Sequence, residues 1–130
     1  MTKDKKIKIL IVDDEKAIAR AMQLKLENVG FEAIIAQNGL EAIAALEKEK
    51  FGAMLLDLVM PKMDGFAVLK ELADHKNKTP IIITSNLSQQ EDIRRAKDLG
   101  AVDYFIKSDT PISEIVNYVN KAINRGDENK

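Results

Sequence analysis

Three carboxylates and one lysine stand directly after short apolar runs, where reactive side chains are commonly placed. Asp13 and Asp14 follow the first apolar run. Asp57 and Lys107 each follow a later one. Ligands of an open α/β sheet bind outside the carboxyl ends of its strands. The sequence therefore predicts that these four side chains converge on one site.

A cluster of carboxylates of this kind predicts a divalent cation. Adjacent negative charges repel one another unless a cation lies between them. Mg²⁺ takes oxygen ligands, retains several waters and often completes its shell with a phosphate oxygen. We expect Asp13 and Asp14 to hold Mg²⁺, one directly and one through water, and Asp57 to add a third oxygen. The backbone carbonyl of Val59 is a further candidate ligand.

Phosphoryl transfer is the chemistry that such a site suits. If Asp57 is the nucleophile, the cation and Lys107 oppose the charge of the incoming phosphoryl group and of the aspartyl phosphate. A hydroxyl at the end of the fourth strand would bond a phosphoryl oxygen. Thr84 and Ser85 both offer one, and counting from Pro80 favours Ser85.

The predicted strands and helices that carry these residues alternate along the chain. Apolar runs bounded by turn signals alternate with segments of helical period, which predicts βαβ units around a parallel sheet. Five strands and five helices fill the length. The predicted strands are Ile7 to Val12, Glu32 to Ala36, Ala53 to Asp57, Ile81 to Ser85, and Asp103 to Lys107.

Several helix boundaries have recognisable signals. Gly30 is predicted to end the first helix as a C-cap. Ser88-Gln89-Gln90-Glu91 predicts a capping box at the start of helix four. Thr110 is predicted to cap the last helix, with Pro111 at its first helical position. Helix four has a thin apolar stripe, which predicts a weakly anchored, moving element; the stripe consists of Ile93, Ala96 and Leu99.

Length and composition predict one domain over residues 1–130, with a core from about 7 to 123 and a polar, fraying tail over 124–130. The 20 basic and 21 acidic side chains are interspersed, which argues against direct binding of nucleic acid. The chain has no cysteine, which excludes thiolate chemistry. Its first residues are too charged for a signal peptide or a membrane span. We expect a cytoplasmic protein without a membrane partner.

The ordered set of these residues resembles the receiver domain of two-component response regulators, and is similar to the single-domain chemotaxis type. The resemblance implies a flavodoxin-like, doubly wound (βα)5 fold with a five-stranded parallel sheet in the order 2-1-3-4-5. It covers the chain from about Ile7 to Ala122. The matching residues are Asp13-Asp14, the block Asp57-x-x-Met60-Pro61-x-x-Asp64-Gly65, Ser85, Tyr104 and Lys107.

The resemblance also implies a function. Asp57 would accept a phosphoryl group from a sensor histidine kinase or a phosphotransfer protein, with Mg²⁺, and lose it by hydrolysis. Ser85 and Tyr104 would form the switch pair, and the surface of helix four, strand five and helix five would carry the output to a target protein. The chain would be a monomer or a phosphorylation-dependent homodimer. It would not be an enzyme, since it would catalyse only its own phosphorylation and dephosphorylation.

Three positions depart from the family pattern. Ser108 follows Lys107, where receivers normally have a proline joined through a cis bond. Asn86 follows the switch hydroxyl in place of Ala or Gly, and is a candidate to narrow access to Asp57 or to bond the phosphoryl group. Ser85 itself replaces the commoner threonine.

Other functions fit the same residues less well. The first loop is acidic, whereas a flavodoxin needs a phosphate-binding loop there. A haloacid-type phosphatase needs an aspartate where Val59 stands. Asp13 and Asp14 as mere helix caps would leave Asp57 and Lys107 unexplained. A receiver-like module that binds proteins without being phosphorylated stays open as the alternative.

Overall fold

The computed structural model describes residues 6–128 as alternating strands and helices. The strands pair in parallel as one sheet in the order β2-β1-β3-β4-β5, which confirms the predicted fold. The elements are β1 (Lys8–Val12), α1 (Lys16–Asn28), β2 (Glu32–Ala36), α2 (Gly39–Lys48), β3 (Ala53–Leu56), α3 (Gly65–Asp74), β4 (Ile81–Ser85), α4 (Gln90–Asp98), β5 (Asp103–Ile106) and α5 (Ile115–Glu128).

The sheet separates two apolar cores, which is why its central strands are apolar on both faces. Alternate residues of β1 point to opposite faces: Leu10 and Val12 pack with α2, α3 and α4, whereas Ile9 and Ile11 pack with α1 and α5. All four side chains are at most 1% exposed. Within residues 6–128, no helix combines the length and the apolar character that crossing a membrane requires.

The strands end just before the residues that were predicted to do chemistry. The predicted third and fifth strands included Asp57 and Lys107, but β3 ends at Leu56 and β5 at Ile106. Both residues remain tied to a neighbouring strand through the backbone. The Asp57 amide donates to the Val12 carbonyl at 2.9 Å, and the Lys107 amide donates to the Ser85 carbonyl at 2.9 Å. These bonds fix the backbone of both residues at the carboxyl edge of the sheet.

Two predicted helix starts are wrong. Helix α4 begins at Gln90 with Gln89 as its N-cap and no side-chain cap hydrogen bond, so Ser88 lies too far upstream to form the capping box. Pro111 is extended, with φ −60° and ψ 140°, and precedes a 3-10 turn over Ile112–Glu114, so it is not the first residue of α5. Proline fixes φ at about −65°, which is compatible with both helical and extended backbone, so the φ of −60° at Pro111 does not by itself start a helix.

Helix α5 continues to Glu128, so its backbone includes residues that the sequence placed in a fraying tail. A glycine inside a helix costs only about 1 kcal/mol, which an established helix tolerates. Residues 129–130 of that predicted tail lie outside the described residues. At the end of α1, Val29 is the C-cap, and Gly30 follows it with φ +102°, the left-handed conformation that glycine favours.

Helix α4 is weakly anchored, as its thin stripe predicted. Ala96 is its one buried residue, and Ile93 and Leu99 are partly buried. A contact that the sequence did not predict adds to this packing: the Arg95 guanidinium lies 4.0 Å from the centre of the Phe66 ring of α3. A cation over an aromatic face is favourable.

Candidate functional site

Asp57 is a nearly buried carboxylate at the end of β3, with 4% of the residue exposed. Its Oδ1 accepts a hydrogen bond from the Val59 amide at 3.2 Å. The loop that follows folds back closely, because a Cβ at Gly65 would lie 2.4 Å from the Asp57 carbonyl oxygen. Asp64 caps α3 by accepting from the Ala67 amide at 2.9 Å. The Asp64-Gly65 pair thus fixes the loop against the Asp57 backbone.

The environment of Asp57 opposes its ionisation. Burial raises the pKa of Asp57 to about 6, because a buried carboxylate loses hydration. The Lys107 ammonium acts in the opposite direction and lowers this pKa, and the charge of Asp13 raises it again. A cation bound beside this carboxylate would favour its ionised form and so lower its pKa.

The acidic pair lies beside Asp57. Asp13 is 1% exposed, and Asp14 is exposed. Asp13 Oδ1 accepts from the Glu15 amide at 2.9 Å. Glu15 is the N-cap residue of α1, so Asp13 bonds the amide that precedes the helix rather than one within it. The pair therefore faces the carboxyl edge of the sheet, and simple helix capping does not account for it.

The three carboxylates fit a hard divalent cation. One oxygen each from Asp13, Asp14 and Asp57 lie within 4.8 Å of one another. Oxygen donors of this type suit Mg²⁺, which keeps several waters, and the exposed side of Asp14 leaves room for them. The three carboxylates carry more negative charge than the Lys107 ammonium can neutralise, and a divalent cation would neutralise the remainder.

Lys107 joins the site from β5, and its side chain is 5% exposed. Its Nζ donates to Asp13 Oδ2 at 2.7 Å and to Glu15 Oε1 at 3.2 Å, and it lies 3.5 Å from Asp57 Oδ2. Burial alone lowers the pKa of Lys107, but the Asp13 hydrogen bond and the Asp57 charge outweigh it and raise the pKa above its usual value. Within residues 6–128 every peptide bond is trans, including the one between Lys107 and Ser108.

A small open cavity of about 230 Å³ leads to Asp57. Ser85 lines it and Thr84 does not, so the structure places the hydroxyl favoured from the sequence beside Asp57. Asn86 is exposed at the same cavity, at the position expected for a residue that narrows access. The lining residues are Glu15, Asp57, Val59, Ser85, Asn86, Leu87 and Lys107.

Tyr104 lies outside this cavity lining and bonds the loop beside it. The residue is 8% exposed, and its hydroxyl donates to the Leu87 carbonyl at 2.7 Å. Ser85 Oγ accepts from the Leu87 amide at 3.2 Å. Burial raises the pKa of the Tyr104 hydroxyl, which therefore stays protonated as a donor. Ser85 and Tyr104 are thus linked through the two backbone groups of Leu87.

Two residues of this site were not predicted from the sequence. Glu15 bonds Lys107, and its position directly after the acidic pair was the available signal. Leu87 contributes only its backbone, which no side-chain pattern indicates. Of the predicted site residues, the structure brings Asp13, Asp14, Asp57, Lys107 and Ser85 together, with Val59 and Asn86 at the cavity and Tyr104 one loop residue away.

Comparisons with known proteins agree with this arrangement. A family model described as the response regulator receiver domain matches residues 9–120. The alkaline phosphatase synthesis transcriptional regulatory protein PhoP of Bacillus subtilis is 39% identical over 121 residues, 93% of this chain and 50% of PhoP. The probable transcriptional regulator ycf27 of Pyropia yezoensis is 36% identical over 96% of this chain and 51% of its own length. The chain spans about half the length of these curated relatives.

Two solved structures match over all or nearly all of their length. A CheY-like response regulator receiver domain protein from Methanospirillum hungatei has a TM-score of 0.89 and 25% identity, covering 97% of this chain and 100% of that one. The receiver domain of the Francisella response regulator 1452 has a TM-score of 0.86 and 32% identity, covering 92% of this chain and 98% of that one.

Proposed function

The chain belongs to the response regulator receiver domain family of two-component systems, and on that premise we propose that it is a phosphorylation-activated switch with Asp57 as phosphoacceptor. One observation carries the proposal. A nearly buried carboxylate at a strand end faces an ammonium group on one side and an acidic pair on the other. A fold scaffold alone gives no reason for this costly arrangement.

The proposed reaction is phosphoryl transfer from a phosphohistidine of a sensor kinase or phosphotransfer protein. Asp57 Oδ1 is held by the Val59 amide, which leaves Oδ2, on the Lys107 side, as the attacking oxygen. The new O–P bond forms as the N–P bond breaks, and the histidine imidazole leaves with the bonding electrons and takes up a proton. Hydrolysis later returns the Asp57 carboxylate and inorganic phosphate. Lys107 opposes the charge of the transferred group throughout.

Asp13, Asp14 and Asp57 are the proposed Mg²⁺ ligands, with the Val59 backbone carbonyl as a further one. When bound, Mg²⁺ supplies neutralising charge to the phosphoryl oxygens. The proximity of the three carboxylate oxygens, within 4.8 Å, supports this assignment. Asp13 also positions Lys107, because its Oδ2 accepts a hydrogen bond from Lys107 Nζ at 2.7 Å.

The proposed switch is the loop between β4 and α4. A phosphoryl group on Asp57 adds charge and acceptor oxygens beside Ser85. If Ser85 turns its hydroxyl toward them, it gives up the Leu87 amide, and the Tyr104 bond to the Leu87 carbonyl is disturbed with it. Helix α4, weakly anchored, is then free to change the surface of α4, β5 and α5. That surface is the proposed output to a target protein or to a second copy of the chain.

Residues 1–130 are proposed to act as one receiver domain in the cytoplasm. The curated relatives named above are transcriptional regulators. For this chain we propose a protein target, because its 20 basic and 21 acidic side chains are interspersed rather than gathered into a basic face. The proposed turnover is limited to the protein's own phosphorylation and dephosphorylation.

Chemical trapping tests the assignment of Asp57. After incubation with a histidine-phosphorylated phosphotransfer protein and Mg²⁺, borohydride should reduce the aspartyl phosphate to homoserine at position 57. Peptide mass spectrometry reads this conversion. Homoserine at another aspartate would refute the assignment. No conversion with any donor would favour the alternative, a receiver-like module that binds proteins without phosphorylation.

A further inference from the structure

We propose that Glu15 is a positioning residue that draws Lys107 away from Asp57 until a phosphoryl group arrives. This inference rests on the proposed function, since it concerns what Lys107 must do when Asp57 is modified. It assigns a role to a cavity-lining carboxylate that is neither a proposed metal ligand nor the phosphoacceptor.

The contacts of Lys107 are unequal. Its Nζ lies within hydrogen-bond distance of Asp13 and Glu15, at 2.7 and 3.2 Å, but 3.5 Å from Asp57. Both short contacts come from the segment between β1 and α1, so together they pull the ammonium toward that side. In this state Lys107 is therefore hydrogen-bonded to Asp13 and Glu15 and makes only a longer ion pair with Asp57.

Glu15 can release the Lys107 ammonium more easily than Asp13 can. Asp13 is fixed by the Glu15 amide, and its side chain is 0% exposed. The Glu15 side chain is 52% exposed and makes no side-chain cap bond to α1. It can turn into water at small cost, whereas Asp13 cannot leave without a buried ion pair being broken. The structure thus combines one permanent and one exchangeable partner for Lys107.

A phosphoryl group on Asp57 would compete with Glu15 for the Lys107 ammonium. The phosphoryl oxygens carry more charge than the Asp57 carboxylate and extend into the cavity that Glu15 and Lys107 line. Lys107 then exchanges the Glu15 bond for a phosphoryl oxygen while it keeps Asp13. The Glu15–Lys107 bond opposes this exchange, so its removal should strengthen binding of a phosphoryl group or of its mimic.

The test is equilibrium binding of beryllofluoride with Mg²⁺, a mimic of the aspartyl phosphate, by the wild type, Glu15→Asp and Glu15→Ala. Glu15→Asp keeps the charge but shortens the side chain by one methylene, so it loses the reach to Lys107. Both variants should bind beryllofluoride about two- to five-fold more tightly, the range for loss of one ion pair whose acidic partner is half exposed. Glu27→Ala, which removes an exposed acid from the far end of the same helix, should bind like the wild type.

A second readout follows the lysine itself. The side-chain NMR signals of Lys107 in the free protein should shift in Glu15→Asp and stay in place in Glu27→Ala. Wild-type affinity in Glu15→Asp, with a gain in Glu15→Ala alone, would overturn the inference and leave only a general charge effect. A wild-type protein that does not bind beryllofluoride would overturn the proposed function, and this inference with it.

Discussion

The Lys107 ammonium and the Asp13 carboxylate form a buried ion pair, with Nζ and Oδ2 2.7 Å apart and side chains 5% and 0% exposed. The pair joins residues 94 positions apart in sequence and fastens the end of β5 to the end of β1. Asp57 directly follows β3, which lies between β1 and β5 in the sheet, and its Oδ2 is 3.5 Å from the same ammonium. One lysine thus serves a structural pair and the proposed phosphoacceptor together.

The first prediction concerns the excess of negative charge at the site. Asp14→Asn should raise the Tm of the metal-free protein, because it relieves repulsion among three carboxylates. The same change should abolish most of the stabilisation by Mg²⁺, which the wild type gains by mass action. Thermal melts with and without Mg²⁺ measure both effects, with Glu27→Gln as a remote control. A lower Tm that still responds fully to Mg²⁺ would refute the metal site.

The second prediction is a pH dependence. The pKa of Asp57 is raised from 3.8 to about 6, so between these values the folded protein keeps a proton that the unfolded chain has lost. Stability of the metal-free protein should therefore fall as pH rises from about 4 to about 7. The expected loss from this one group is about 2 kcal/mol after solvent screening.

Asp57→Asn removes that titration. Denaturant unfolding across this pH range should show a flatter profile for the variant, with higher stability than the wild type at pH 7.5 and little difference near pH 4. A wild-type profile that the substitution leaves unchanged would show that Asp57 is not the group responsible.

The third prediction isolates the Tyr104 hydroxyl. Tyr104→Phe leaves the Leu87 carbonyl without its 2.7 Å donor, which should cost about 1 kcal/mol and loosen the loop between β4 and α4. Urea unfolding measures the first effect, and hydrogen exchange of the Leu87 amide measures the second. Tyr118→Phe is the matched control, since the ring of Tyr118 packs edge-on to Phe105. Equal losses in the two variants would argue against a specific role for the Tyr104 bond.

The fourth prediction tests the close approach at Gly65. A Cβ there would lie 2.4 Å from the Asp57 carbonyl oxygen and 2.7 Å from the Leu58 Cα, so Gly65→Ala must displace the backbone that carries the phosphoacceptor. We expect a loss of about 2 kcal/mol or more in unfolding free energy, together with slower phosphorylation. At Gly100 a Cβ would meet no atom within 4 Å, so Gly100→Ala is strained only by the φ of +115°. Gly100→Ala should therefore lower the unfolding free energy less than Gly65→Ala and leave phosphorylation unchanged.

Much of this fold was predictable because each signal was local. The apolar runs gave the five strands to within a residue at each end, since a buried parallel strand must be apolar on both faces. The family resemblance supplied the strand order. Asp57 and Lys107 were predictable as site residues because they follow such runs directly.

The misses were of two kinds. Ser88 and Pro111 are residue types that commonly begin helices, but α4 and α5 each begin further along the chain. The exact terminal residue of a helix is not fixed by the local residue type alone. Glu15 and Leu87 were missed because their roles depend on contacts across the fold. The Glu15–Lys107 bond spans 92 positions, and Leu87 acts through its backbone.

Intact mass after incubation with a small phosphodonor is the decisive test of Asp57 as a Mg²⁺-dependent phosphoacceptor. The wild type and Asp57→Asn are compared, each with and without Mg²⁺. We expect a single phosphoryl adduct on the wild type that requires Mg²⁺ and is absent from the variant. An adduct that persists in Asp57→Asn, or no adduct on a folded wild-type protein with Mg²⁺, would refute this role of Asp57.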